Sequence, residues 1–263
     1  ILQMIDQFDH VYTISGISET MDNICKVVED VSDPRPIIDP MRRIKSSKEI
    51  QYMQESASIG ARSHKIAMKN AVPGMGEWEI QSYVEGHFMK SKSTWSFPSI
   101  VGGGSNATIL HYKNNDCIVN DGDLVLVDAG CEVNGYASDI TRTWPINGSF
   151  TEPQKEIYEL VLKAEKAGIE ACQVGSPWSK MHRVVSEVIA KGLIELGVLE
   201  CSLEEALGDE AKLDGPFRNF FMHGTGHFLG LDVHDVGGGR QGDHGTPDSL
   251  EPGMVLTIEP GLY

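Results

Sequence analysis

Apolar positions along the chain follow two periods, and the switches between them mark its elements. Ser46-Ser47-Lys48-Glu49 makes a capping box, after which Ile50, Met53, Ala57 and Ala61 recur at helical spacing until Pro73-Gly74 breaks the pattern. A long amphipathic helix is predicted there. Residues 79–90 read as a second helix, and Thr151-x-x-Gln154 and Ser176-Pro177 open two more that run to about Cys172 and Leu196. Short apolar runs bounded by turn residues predict strands at 99–101, 117–119, 124–127, 136–144 and 254–258. Helix pairs interleaved with antiparallel hairpins predict an α+β domain rather than a doubly wound parallel sheet.

Residues 1–31 mix short apolar runs with Asp, Glu and Asn, and the Asp33-Pro34-Arg35-Pro36 and Asp39-Pro40 runs predict extended linker backbone. This places a boundary near residue 45, with 1–45 as the tail of a preceding domain and 46–263 as the main one. A length of 263 residues with 40% hydrophobic content is enough for that domain's core. The net charge of −16 repels phosphate backbones and anionic membranes, which argues against nucleic acid and membrane partners. No apolar run approaches a membrane span, and Asp6 and Asp9 interrupt the first one. Five cysteines without a C-x-x-C pair fit a reducing compartment, so a soluble intracellular protein is expected.

Candidate chemistry starts at Leu124-Val125-Leu126-Val127-Asp128-Ala129-Gly130, an apolar strand ending in a carboxylate. A charge there is costly unless something compensates it. Asn134-Gly135 is the strongest two-residue hairpin signal, and the register it sets puts Asp128 opposite Thr141. Asp139 is then diagonal to Asp128 on the same face. Diagonal neighbours lie roughly 7–8 Å apart at the backbone, which lets two carboxylates converge on ions about 3.5–4 Å apart. The alternative is that one Asp caps a turn while the other is solvated.

Three of the nine histidines, His223, His227 and His234, fall within twelve residues around a Gly-rich turn. The four-residue spacing of His223 and His227 superficially matches the helical zinc motif, but no Glu follows His223, and Gly224 and Gly226 disfavour a helix. Glu259 repeats the Asp128 pattern of turn, apolar strand and terminal carboxylate. Oxygen-rich ligation with one imidazole favours Mn²⁺, with Co²⁺ or Zn²⁺ as alternatives, over a thiolate-bound zinc.

Six ordered motifs now resemble the creatinase and methionine aminopeptidase superfamily, and most closely aminopeptidase P with its mitochondrial relatives. They are Ile109-Leu110-His111-Tyr112, the run from Asp121 to Cys131, Ser138-Asp139-Ile140-Thr141-Arg142-Thr143, His223-Gly224-Thr225-Gly226-His227, the run from Gly230 to Asp235, and Glu251 through Gly261. The resemblance implies the pita-bread fold, a curved antiparallel sheet with flanking helices around two divalent metal ions. It implies that Asp128 binds one ion, that Asp139 bridges both, and that His227 and Glu259 hold the other. His111, His223 and His234 match the family's substrate-side histidines, which bind the substrate carbonyl and stabilise the tetrahedral intermediate. Asp232 and Asp235 would either orient imidazoles or be solvated loop acids.

The implied reaction is release of the first residue of a peptide, preferentially before proline, by a metal-activated hydroxide. The substrates would be peptide or protein amino termini. Prolidase, which takes only dipeptides, and an inactive binding module of the same fold are the alternatives. The resemblance favours a mitochondrial over a cytoplasmic location and leaves room for a homo-oligomer. The family's fifth ligand, a glutamate in a later Gly-x-Arg-x-Glu strand, has no counterpart before Tyr263. A molecule that itself ended there would be expected to bind at least one ion weakly and to be poorly active.

Overall fold

A computed structural model describes residues 9–26, 28, 30–237 and 247–263. Asp6 lies outside the described residues. At the amino end β1 (Val11–Tyr12) pairs in parallel with β2 (Val31–Ser32), and α1 (Glu19–Cys25), capped by Ser18, lies between them in sequence. The expected linker at 33–40 is instead mostly helical, forming α2 (Arg35–Arg43). Its prolines explain how. Pro36 sits in the first turn, where its missing N–H is not needed, and the Asp33 carboxylate accepts from the Arg35 N–H at 2.9 Å. Pro40 does forfeit an internal hydrogen bond, so this helix depends on its contacts with the rest of the protein.

The predicted capping box starts α3 (Ser47–Asn70), with Ser46 N–H donating to Glu49 at 2.7 Å. The buried face coincides with the expected one at Met53 but not at the two alanines. Ala57 and Ala61 are exposed, while Met53, Ser56, Ile59, Gly60, Ser63, His64 and Ala67 point inward. The polar members cost little because Ser56 and Ser63 donate to carbonyls of their own helix, at 3.0 and 2.7 Å. Their small size forms a shelf on which other backbone can rest. α4 (Glu77–Lys90) packs beside α3 and buries Ile80, Val84 and Phe88.

Against these helices lie two three-stranded antiparallel sheets. One holds β3 (Thr94–Trp95), β6 (Cys131–Val133) and β7 (Tyr136–Ala137); the other holds β4 (Ile100–Gly103), β5 (Leu124–Asp128) and β8 (Thr141–Pro145). β5 alternates strictly. Val125 and Val127 are fully buried against α3 and α4, each stabilising by about 1.5–3 kcal/mol, and Asp128 therefore points to the other face. The predicted register is observed, with Asp128 opposite Thr141 and with Asn134 and Gly135 in the turn at φ 51° and 82°. Residues 117–119 are not a strand, since only Ile118 makes a bridge, to Gly76.

The second half repeats the plan. α5 (Glu152–Ala171) and α6 (Trp178–Glu195) pack together, and with α7 (Leu203–Leu207) they enclose Ala164, Val185, Ile189, Phe217 and Phe221. Residues 254–258 run beside 225–229 as an extended antiparallel pair but fall short of the expected strand. Leu229 N–H bonds Val255 O at 3.0 Å, Thr257 N–H bonds His227 O at 2.9 Å, and Glu259 N–H bonds Thr225 O at 2.7 Å. The return bond is diverted, because His227 N–H donates to the Thr257 hydroxyl at 3.0 Å rather than to a carbonyl. Among the described residues no helix is long and apolar enough to cross a membrane.

Candidate metal centre

The four residues expected as ligands meet between the two halves. In the first, the α3 shelf sets the hairpin: His64 Nε2 lies 3.1 Å from Ala129 O, and the Ser138 hydroxyl reaches Ser56 O at 3.2 Å. Gly130 passes so close that a Cβ there would lie 1.7 Å from Ser138 O. Backbone bonds from Ala129 to Ile140 and from Ser138 to Cys131, at 3.1 and 2.8 Å, keep the register past Gly130, so Asp139 falls diagonal to Asp128. The charge of Asp139 is close enough to raise the Asp128 pKa.

The second half uses the same diagonal geometry. Thr225 stands opposite Glu259, as Thr141 stands opposite Asp128, and His227 is diagonal to Glu259. Gly226 allows the close approach, since a Cβ there would lie 2.0 Å from Thr257 O. His227 Nε2 then lies 3.1 Å from Asp139 Oδ2 and 3.2 Å from Glu259 Oε1. Its Nδ1 faces Phe228 O at 2.9 Å; a carbonyl can only accept, so Nδ1 carries a proton. In the neutral ring Nε2 therefore keeps its lone pair toward the carboxylates. The Thr257 hydroxyl donates to Glu259 Oε1 at 2.9 Å and fixes that side chain.

The electrostatics of this cluster are unfavourable to carboxylates alone. Burial, and then repulsion from Asp139, push Asp128 up to about 8, and its Oδ1 is buried with no hydrogen-bond donor. Burial also raises Glu259, with Asp139 adding to the effect. Burial disfavours the His227 imidazolium, but Asp139, the Phe228 carbonyl and Glu259 outweigh it and raise that pKa. Three crowded carboxylates and one imidazole with an available lone pair are a donor set suited to divalent cations of hard or borderline character.

The three other histidines lie around this cluster. His223 Nδ1 faces Gly224 O at 2.7 Å, so its Nε2, buried and without a partner, is the free nitrogen. Burial, Arg218 and His111 lower its pKa, and the last effect places His111 nearby. His111 is exposed with φ 55°, an uncommon conformation for a residue with a side chain. The His234 ring packs edge-on to His227 with centroids 4.4 Å apart. Asp235 is not a solvated loop acid, being buried against Lys45 and Arg42.

Sequence reasoning passed over Tyr263, whose ring lies 5.3 Å from that of His223. Burial and the charges of Glu259 and Asp128 push its phenol up to about 12. The only signal for it was its position just past the Glu259 turn. Glu77, Asp116 and Cys117 form a second compact group of potential ligands. Glu77 is already committed, because its Oε1 accepts from Gly103 N–H and Asn106 and its Oε2 from Tyr112 and Cys117 N–H. It anchors the loop that carries His111.

A sequence model of metallopeptidase family M24 matches residues 51–263. The chain belongs to this family. Among its M24 relatives, the Xaa-Pro aminopeptidase of Haemophilus influenzae is 45% identical over 255 residues, covering 97% of this chain and 56% of that protein. The mitochondrial intermediate cleaving peptidase 55 of Arabidopsis thaliana is 37% identical over 85% of this chain and 42% of that protein. Aminopeptidase P from Escherichia coli, solved with the inhibitor Pro-Leu, superposes with a TM-score of 0.91 at 38% identity, covering 100% of this chain and 62% of that one. The chain thus spans about half the length of the curated relatives it matches. Its fold is the pita-bread fold of M24, as the α+β pattern and the motif resemblance led one to expect.

Proposed function

We propose that the protein is a two-metal Xaa-Pro aminopeptidase that releases the first residue of peptides whose second residue is proline. The observation that carries this is the convergence of Asp128, Asp139, His227 and Glu259, with the orphaned Asp128 Oδ1, in a chain of family M24. The names of its relatives supply the substrate class. Asp128 would hold one divalent ion, Asp139 would bridge, and His227 and Glu259 would hold the second. Mn²⁺ suits this donor set best. Bound ions of this kind supply Lewis acidity toward water and toward the scissile carbonyl.

The chain's own groups do the rest. Thr257 holds Glu259 in place by a hydrogen bond, Thr141 stands opposite Asp128, and the Phe228 carbonyl fixes the His227 tautomer. Burial holds the His223 pKa below its ordinary value, and with Nδ1 donating to Gly224 its Nε2 is left as the acceptor, which suits an N–H of the substrate. His111 and His234 border the same space and stabilise charge developing on the carbonyl oxygen. We further propose that the catalytic unit begins near residue 45, and the Arabidopsis relative favours a mitochondrial location.

The test is metal analysis of the intact purified protein together with cleavage of X-Pro-X, X-Ala-X and X-Pro peptides. Two bound ions and preferential release of X from X-Pro-X are expected. Cleavage of the dipeptide alone would make it a dipeptidase, and failure to bind metal would overturn the reading.

A further inference from the structure

Two cations from the segment before α3 grip the loop that carries His234. Lys45 Nζ lies 2.9 Å from Asp235 Oδ2, with both side chains 1% exposed. Arg42 Nη2 lies 2.6 Å from Asp235 Oδ1 and 2.9 Å from Asp232 Oδ2. The two aspartates flank His234, and the cations come from the end of α2 and the residues just after it.

Backbone bonds tie the same segment into the centre. Asp235 N–H bonds Phe228 O at 2.9 Å, next to His227, and Lys45 N–H bonds Gly253 O at 2.9 Å, at the start of the run leading to Glu259. The fit is close. A Cβ at Gly230 would lie 2.1 Å from Asp235 Oδ2 and 2.9 Å from Lys45 Cε. A buried ion pair adds little net stability over apolar packing, yet it permits few alternative geometries, which suits it to fixing a position.

We infer that Arg42 and Lys45 are positioning residues: through Asp235 and Asp232 they hold the His234 imidazole against His227. The inference deepens the proposed aminopeptidase function and rests on it. It also makes the segment before residue 46 a working part of the site, because the grip is applied from α2.

The test uses the intact, metal-loaded protein. Arg42→Gln leaves Asp235 paired with Lys45, so the fold is retained; Asp232→Asn is a milder lesion at the exposed end should that variant misfold. Arg42→Gln should lower kcat by about ten- to a hundredfold, as displaced catalytic groups do, with KM and metal content unchanged. Arg42→Lys should recover part of the loss. Placed on His234→Ala, the same change should cost less than about twofold, because the group it positions is gone. Equal losses in both backgrounds, or no loss in either, would overturn the inference. A second readout does not depend on turnover. The His234 ring resonance, identified by its disappearance in His234→Ala, should move in Arg42→Gln while that of His64 does not. An unmoved His234 signal would also overturn the inference. If the unsubstituted protein cleaves no peptide, the functional proposal fails and the resonance alone decides the grip.

Discussion

His227 Nε2 sits 3.1 Å from Asp139 Oδ2, so the imidazole of one extended pair meets a carboxylate of the other. Asp139 is thus the member of the first pair that reaches across to the second. If Asp139 bridges and His234 faces the substrate as proposed, Asp139→Asn should abolish metal-supported turnover more completely than His234→Ala, since a bridging ligand serves both ions whereas such an imidazole only stabilises charge. Steady-state kinetics with metal analysis checks this, and turnover by Asp139→Asn equal to the unsubstituted protein would remove the two-metal proposal.

Stability of the metal-free protein should fall as pH rises from about 5 to about 8. Unfolded, Asp128 releases its proton near its ordinary value of 3.8; folded, it does so near about 8. Between these the native state holds a proton that the unfolded state lacks, so each step upward in pH favours unfolding. Raised values for Glu259 and His227 act with the same sign. At roughly 1.4 kcal/mol per unit, the loss from Asp128 alone is on the order of a few kcal/mol. Melting curves in chelator should show it, Mn²⁺ should reverse it, and Asp128→Asn should flatten it. A melting temperature that climbs over this range in chelator would contradict the electrostatic account.

Gly130→Ala and Gly226→Ala should each be disruptive, because the added methyl would meet Ser138 O at 1.7 Å and Thr257 O at 2.0 Å. Relief requires the paired backbones to part, costing about 1–3 kcal/mol or more, and it moves a carboxylate with it. Denaturant midpoints and metal stoichiometry should both drop. An unchanged stoichiometry would mean that the centre tolerates looser pairing than the geometry implies.

Glu77→Gln should destabilise without touching the metal centre. A carboxylate that accepts four donors becomes an amide that must turn its NH₂ toward two of them, at a cost of roughly 1–3 kcal/mol. The effect on turnover should travel through His111, whose neighbour Tyr112 bonds Glu77 at 2.9 Å, leaving metal content intact. Loss of bound metal in this variant would instead assign the Glu77, Asp116 and Cys117 group to ion binding.

Local signals carried much of this protein. Asn134-Gly135 gave the register that brings Asp128 and Asp139 together, because a two-residue turn leaves the flanking strands no freedom. Capping residues located the helices for the same reason. What failed depended on distant partners. Part of the inward face of α3 is polar and small, which hydrophobic periodicity cannot reveal, since Ser56 and Gly60 are buried to admit the hairpin rather than to exclude water. The prolines of α2 concealed a helix that is held by Asp232 and Asp235, some 190 residues away. The Thr257 hydroxyl, not any strand propensity, limits the pairing at 254–258.

The diagonal placement in both extended pairs has a consequence for assembly. Each half contributes only two of the four proposed ligands, drawn from segments about a hundred residues apart in sequence. Either extended pair alone, 124–128 with 141–145 or 225–229 with 255–259, offers an ion half a coordination sphere, so tight binding must wait until both halves have folded and met. An ion held there would then act as a rivet between them, and its removal would loosen the seam between the halves before it loosened either half.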